Sequence, residues 1–185
     1  MAEQKLLVKR EGDFHYPIYF KNDFQDLAGA IREEGLENRK ICIVTDSHVA
    51  PLYHEAVKSA LQEISSEIFS FVFEAGEKNK NLNTVQELYK TLIENEMDRK
   101  GLLVALGGGV AGDMAGFAAA VYQRGIRFVH APTTTTKHRP RRSTLLRPMP
   151  SPPPSSWPRW RLPTQPPPPK PRRQTPRRRN NLPAQ

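Results

Sequence analysis

Residues 102–113 read LLVALGGGVAGD, an apolar run that leads directly into a glycine-rich turn and a helix-forming segment. Gly107, Gly109 and Gly112 have the spacing G-x-G-x-x-G, which between a strand and a helix is typical of a phosphate-binding loop. Glycine permits positive φ and lets backbone N–H groups approach a pyrophosphate, and the helix N-terminus adds a partial positive charge. A tight turn that only packs a helix on a sheet is the alternative, and the motif alone leaves both open.

Apolar strands and amphipathic helices alternate on both sides of this turn. We predict strands at residues 5–8, 15–20, 40–45, 68–73, 101–106 and 127–131. We predict helices at residues 23–34, 51–64, 83 or 84 to 97, and 113–122, the third with Val85, Leu88, Leu92 and Ile93 facing the core. Alternation with short connections predicts an α/β fold, an open, largely parallel Rossmann-like sheet flanked by helices.

The last 49 residues differ sharply in composition from the rest. Residues 137–185 contain no Asp or Glu, 13 of the 28 Lys and Arg, and 15 of the 18 prolines. Their few large apolar side chains cannot offset the entropy of ordering the segment. We therefore predict a domain at residues 1–136, with net charge −4, and a disordered Pro/Arg-rich tail at residues 137–185. Residues 166–169 are expected to be polyproline II.

Several classes of protein are excluded or disfavoured. Cys42 is the only cysteine and lies in an apolar run, so we expect a buried core residue and no disulfide. The N-terminus lacks a signal-peptide core, and no run approaches the ~18 apolar residues of a membrane span, so we expect a cytoplasmic protein. His48 and His54 do not share a helical face, and His15, His130 and His138 have no partner spacing, so no metal site is predicted.

Five segments, in the same order, resemble 3-dehydroquinate synthases. They are YPI at 16–18, VTDS at 44–47, GEKNK at 76–80, GGGVAGDMAGFAA at 107–119, and YQRG at 122–125 followed by PTT at 132–134. An ordinary Rossmann dehydrogenase fits less well, because the motif comes late among the βα units and no acid follows about 20 residues on. The resemblance covers the N-terminal, nucleotide-binding part of that family.

The resemblance implies an NAD site at the carboxyl ends of the parallel strands. The residues carried over are Asp46, Glu77, Lys80, Gly108, Gly109, Val110, Asp113, Thr133 and Thr134. Asp46 would bind the adenosine ribose, Glu77 and Lys80 the nicotinamide-side ribose, and the glycine turn with Asp113 the pyrophosphate and neighbouring groups. Thr133 and Thr134 would contact the cofactor from the next strand.

A substrate-binding role follows for Arg124, which would reach the substrate phosphate of a neighbouring subunit in a homodimer. Without the resemblance, plainer interpretations remain. Glu77 and Lys80 can be a solvated pair, Asp113 a partner of the helix dipole, and Arg124 a surface arginine.

The family pattern breaks after residue 134. The family continues with D-S-S-x-G-G-K-T, whereas Pro140 stands in place of the Asp and Leu146 in place of the substrate-binding Lys. The family's C-terminal glutamate and two histidines, which bind zinc or cobalt, have no counterpart here. We therefore assign no catalytic and no metal residue, and we predict that this chain is inactive alone.

Two explanations of the tail stay open. A shift of reading frame is favoured by the abrupt switch inside a family motif, and the nucleotide sequence after codon 136 tests it. The other is a genuine basic, proline-rich arm for nucleic acid, anionic surfaces or proline-binding modules, with Trp157 and Trp160 available for stacking.

The resemblance implies a parent activity, the NAD-dependent cyclisation of a phosphorylated seven-carbon keto acid to 3-dehydroquinate, in the shikimate pathway of aromatic amino acid biosynthesis. Other candidates are another sugar-phosphate cyclase, a fragment of a metal-dependent alcohol or glycerol dehydrogenase, or a non-enzymatic nucleotide-binding fragment.

Overall fold

The centre of the fold is a parallel sheet of four apolar strands. A computed structural model describes residues 4–10, 13–20, 23–133 and 143–145. The parallel strands are β3 Ile41–Asp46, β4 Ile68–Phe73, β5 Leu102–Gly107 and β6 Arg127–Pro132. They lie in the order β4-β3-β5-β6, and every residue of β5 is buried, as expected of a strand covered on both faces. The predicted α/β class with a largely parallel sheet is confirmed.

Helices cover both faces of this sheet. They are α1 Leu27–Glu33, α2 Ala50–Leu61, α3 Leu82–Glu94 and α4 Gly109–Val121. Side chains of β3 alternate between the faces, so that Ile41 and Ile43 pack with α1 and α2 while Cys42 and Val44 pack with α3 and α4. The core therefore consists of two apolar layers with the sheet between them.

An antiparallel edge extends the sheet beyond β6. It consists of β1 Gln4–Arg10, β2 Asp13–Phe20 and β7 Ser143–Leu145, in the order β1-β2-β7-β6. Because β7 falls in the segment predicted to be disordered, that prediction is wrong at these three residues. The edges of β2 and β6 present backbone groups that any extended segment can satisfy, whatever its side chains. The other residues from 137 to 185, and the proposed boundary at 136, lie outside the described residues.

Several helix boundaries differ from the prediction, among them the starts of α3 and α1. Helix α3 begins at Leu82 rather than at residue 83 or 84, because Oδ1 of Asn81 accepts a hydrogen bond from the N–H of Thr84 at 3.1 Å and caps the helix. Helix α1 begins at Leu27 rather than at residue 23. The proposed cap Asn22 lies outside the described residues.

One predicted core residue of α3 is misplaced. Ile93 was expected to face inward but is 65% exposed. Its neighbour Leu92 is fully buried, and successive helical residues point about 100° apart, so only one of the two faces the sheet.

Cys42 is a fully buried core residue, as predicted. Burial raises the pKa of its thiol to about 12, with a smaller opposing effect from a backbone hydrogen bond at Phe71, so the thiolate is strongly disfavoured. In the part of the chain that the structure describes, no helix has both the length and the apolar character of a membrane span.

Candidate nucleotide-binding site

The order of the strands creates a crevice at the carboxyl ends of β3 and β5. After β3 the chain forms α2 and then β4, which pairs with one edge of β3. It then forms α3 and returns as β5, which pairs with the other edge of β3. Helices α2 and α4, which follow β3 and β5, accordingly pack on opposite faces of the sheet. In open α/β sheets such a point of reversal is where ligands bind. Asp46 ends β3 and Gly107 ends β5.

The glycine turn brings these two strand ends into contact. Gly107 has φ of 152°, and a Cβ atom at this residue would lie 2.9 Å from Cβ of Ala111 and 3.6 Å from Oδ2 of Asp46. Glycine is therefore required both by the backbone conformation and by the close approach of the helix. A Cβ atom on Gly109, by contrast, would meet no atom of the described residues within 4 Å beyond its own helix and chain neighbours, so this residue faces open space there.

Helix α4 begins inside the glycine segment. The predicted start was residue 113, but the helix starts at Gly109, with Gly108 as its N-cap in an extended conformation. Gly108 has no side chain to accept hydrogen bonds, and no side chain caps this end of α4 in the described structure. The first N–H groups, at Gly109 and Val110, are thus available to an anion, which the helix dipole favours.

Asp46 has one carboxylate oxygen engaged by the protein. Its Oδ1 accepts hydrogen bonds from the N–H groups of His48 at 2.9 Å and Val49 at 3.0 Å, which holds the start of α2. Its Oδ2 points toward Gly107. The carboxylate is thereby fixed in orientation, with an acceptor directed to the crevice.

The segment after β4 contributes Glu77 and Lys80. The N–H of Ala75 donates to Oγ of Ser47 at 3.1 Å, which ties this segment to the end of β3. Glu77 opens a short 3₁₀ turn, Glu77–Asn79, and is exposed. Lys80 follows the turn and forms an ion pair with Asp113 in α4, with 2.6 Å between Nζ and Oδ2. The hydrogen bond to Asp113 raises the pKa of Lys80, so the ammonium group stays charged at neutral pH.

A mainly apolar cleft of about 340 Å³ lies between α3 and α4, beside this ion pair. Its lining residues are Lys80, Asn81, Leu82, Val85, Asp113, Met114 and Phe117. Apolar walls with a few charged groups at the rim are typical of sites for small organic ligands.

The last strand end adds Thr133, whose N–H donates to the carbonyl of Gly107 at 3.1 Å. Thr133 therefore lies directly beside the glycine turn. Thr134 lies outside the described residues.

Arg124 is far from this crevice. It lies after the C-terminus of α4 in a 3₁₀ turn, Tyr122–Arg124, just before β6 begins. This turn is therefore near the amino ends of the parallel strands, whereas Gly107 is at a carboxyl end. A helix of 13 residues is about 20 Å long, so Arg124 cannot reach the glycine turn of its own chain.

His130 is a residue of this region that sequence reasoning missed. It lies on β6, and a Cβ atom on Gly112 would lie 2.8 Å from its Cε1 atom and 2.9 Å from its Nε2 atom. The imidazole thus packs against the first turn of α4. Its spacing from other histidines carried no signal. His130 lies two residues after Phe128 in β6, so the two side chains share the face of the sheet toward α4. With the register of β6 known, this shared face could have indicated that His130 lies near the site.

The described residues contain no group of three His, Cys, Asp or Glu side chains that could hold a metal ion. They therefore do not fit a zinc or cobalt centre. The open glycine turn, the uncapped helix and Asp46 do fit a dinucleotide.

This part of the chain is similar in sequence to known proteins. Residues 70–139 match the family model for the N-terminal domain of 3-dehydroquinate synthase. The 3-dehydroquinate synthases of Streptococcus suis (strain 05ZYH33) and Streptococcus pneumoniae (strain Hungary19A-6) are 44% and 45% identical to it over 121 residues. The matched part of the chain is similar in sequence to 3-dehydroquinate synthases. These alignments cover 65% of this chain and 34% of each relative, so the chain spans about a third of the length of the 3-dehydroquinate synthases it matches.

Solved structures of related cyclases share the fold. A 2-deoxy-scyllo-inosose synthase superposes with a TM-score of 0.60 at 25% identity, over 72% of this chain and 36% of that one. The 2-epi-5-epi-valiolone synthase of Streptomyces hygroscopicus subsp. jinggangensis 5008, solved with NAD+ and Zn2+, has a TM-score of 0.50 at 33% identity, over 58% of this chain and 30% of that one. The α/β fold described above is thus the fold of sugar-phosphate cyclases.

Proposed function

We propose that this chain is the nucleotide-binding part of a 3-dehydroquinate synthase and that it binds NAD at the glycine turn. The observation that carries the proposal is the N-terminus of α4, which no described side chain caps and where no described residue fills the space at Gly109, beside the fixed carboxylate of Asp46. NAD in a related synthase that is 33% identical supports the choice of ligand.

Each part of the site has a distinct task in this proposal. The N–H groups at Gly109 and Val110 bind the pyrophosphate, and Oδ2 of Asp46 accepts from the adenosine ribose. Lys80, at the rim of the apolar cleft, borders the nicotinamide end of the cofactor, and its partner Asp113 lies beside the pyrophosphate. When bound, NAD supplies a reversible hydride acceptor, and the protein supplies orientation and charge.

The remaining roles are proposed from the family. Glu77 contacts the nicotinamide-side ribose, and Thr133 and Thr134 contact the cofactor from the end of β6. Arg124 contacts the substrate phosphate of a second subunit in a homodimer, which its distance from its own glycine turn allows. The substrate is a phosphorylated keto acid, and the cytoplasm is the proposed compartment.

The cyclisation itself requires more than the described residues provide. They contain no set of metal ligands, and the chain spans about a third of the length of the curated synthases. We therefore propose that the 185-residue chain by itself binds NAD and does not release phosphate from the substrate.

Isothermal titration of the 185-residue chain with NAD tests the proposal. We expect binding with a dissociation constant weaker than about 100 μM, because the chain spans only about a third of the length of the synthases it matches. Protein that is folded by circular dichroism and does not bind NAD at millimolar concentration would contradict it.

A further inference from the structure

We propose that His130 is a positioning residue of the nucleotide site that takes up a proton when the pyrophosphate of a dinucleotide binds, so that cofactor affinity rises in mildly acidic solution. This inference rests on the proposed function and adds a pH dependence to it. Three observations carry it: the place of the ring, its unpartnered nitrogen, and the charges that surround it.

The ring lies directly beneath the anion-binding turn. His130 pairs in register with Ala105 of β5, two residues before Gly107, and its side chain occupies the α4 face of the sheet. The imidazole stacks on Phe128, with 6.3 Å between ring centroids and 24° between planes. Contact with Gly112 and stacking on Phe128 fix the ring on two sides. A larger residue at 112 has no room there.

One ring nitrogen has no hydrogen-bond partner. Nε2 of His130 is buried and makes no hydrogen bond to the part of the chain that the structure describes. The carbonyl groups of Gly107 and Gly108 nevertheless lie close enough to favour the protonated ring. These carbonyls belong to the peptide groups that form the turn, so a protonated ring attracts them from below and helps to keep N–H groups directed outward.

The electrostatic surroundings leave the ring neutral in the free protein. Burial lowers the pKa of His130 below its ordinary value, against the opposing effects of the Gly107 carbonyl, Asp113 and the Gly108 carbonyl. Among the described residues, Asp113 is the charged group on α4 that acts on the ring, and it is itself paired with Lys80. Ala105 on β5 and Phe128 on β6 carry no charge.

A pyrophosphate at the turn reverses this balance. Two negative charges near the N-terminus of α4 favour the imidazolium, so the pKa of His130 is higher in the complex than in the free protein. A group whose pKa rises on binding takes up a proton. NAD binding is therefore strengthened as the pH falls. The gain begins near the pKa of His130 in the complex and is complete below the pKa of His130 in the free protein. A rise of one pKa unit corresponds to an affinity about tenfold higher at the acidic limit.

The test compares NAD binding by the 185-residue chain and by His130→Gln at pH 7.5 and pH 5.5. Calorimetry in two buffers of different ionisation enthalpy gives both the affinity and the number of protons taken up. We expect the unmodified chain to bind NAD more tightly at the lower pH, by up to about tenfold, with proton uptake, and His130→Gln to show neither. His130→Asn is the second variant should the glutamine not fold. His54→Gln is the matched control, since His54 contacts Ser70 rather than the glycine turn.

Two results overturn the inference in distinguishable ways. NAD binding whose pH dependence and proton uptake are the same in His130→Gln as in the unmodified chain contradicts this inference and leaves the proposed function intact. A folded chain that does not bind NAD at either pH contradicts both. NMR of the ring, assigned by the signal lost in His130→Gln, must also show a higher pKa with NAD than without it.

Discussion

Nζ of Lys80 lies 2.6 Å from Oδ2 of Asp113, which joins the segment before α3 to the first turns of α4 at the rim of the apolar cleft. The pair is solvent-exposed, with 40% and 62% of the two side chains accessible, so its contribution to folding is small. We expect the ion pair to matter for ligand binding. Asp113 lies near the anion-binding turn, and Lys80 offsets its negative charge.

The first prediction follows from this pair. Lys80→Met leaves the carboxylate of Asp113 unopposed near the pyrophosphate, and we expect NAD affinity to fall about tenfold with an unchanged thermal midpoint. The double variant Lys80→Met/Asp113→Asn removes the repulsion and is expected to recover part of the loss, as calorimetry can measure. Equal affinity of Lys80→Met and the unmodified chain would show that the pair lies outside the site.

The second prediction concerns Gly109. A side chain there meets no protein atom within 4 Å, so Gly109→Val is expected to fold normally and to reduce NAD affinity at least tenfold by occupying the place of the pyrophosphate. Gly29→Val is the matched control, because Gly29 is also helical and also has no atom within 4 Å. Both variants carry the same penalty for a β-branched residue in a helix. Binding by Gly109→Val at the control's affinity would mean that the glycine turn is only structural.

Gly112 gives a prediction about stability. A methyl group at this residue would lie 2.8 Å from the ring of His130, so we expect Gly112→Ala to reduce the free energy of unfolding by about 1–3 kcal/mol, despite the better helix propensity of alanine. In the background His130→Ala the ring is absent, and the same substitution should be neutral or stabilising. Urea denaturation of the four proteins measures the coupling. Additive effects would show that the two residues are not in contact.

Structural features that depend on neighbouring residues in the sequence are easier to predict than features that depend on packing between distant segments. The buried strand β5 was predictable to within one residue at each end, because an unbroken apolar run is typical of a strand covered on both faces. The start of α4 was misjudged because glycine has low helix propensity. Tertiary packing of Ala111 and Ala115 against the sheet outweighs that preference.

Contacts between distant segments were not predictable from pattern. Lys80 and Asp113 were both expected in the site, yet their pairing depends on α3 and α4 lying side by side. His130 was set aside because its sequence spacing indicated nothing, and its meaning appears only when β6 and α4 are brought together. Strand β7 pairs with the backbone edges of β2 and β6, and its own side-chain pattern did not indicate a strand.

The last prediction separates the two functions of Asp46. Its Oδ1 accepts from the N–H groups of His48 and Val49, whereas Oδ2 faces the crevice. Asp46→Ala loses both, so we expect about 1 kcal/mol lower stability from the lost cap and NAD binding weaker by about 1–3 kcal/mol. Asp46→Asn keeps a carbonyl oxygen for the cap but loses the negative charge, and an amide nitrogen cannot accept from a ribose hydroxyl. It should therefore retain nearly full stability while NAD affinity still falls. Chemical denaturation and calorimetry on the same preparations measure both quantities. If Asp46→Asn binds NAD as tightly as the unmodified chain, Asp46 serves the start of α2 alone, and the ribose must be recognised elsewhere in the crevice.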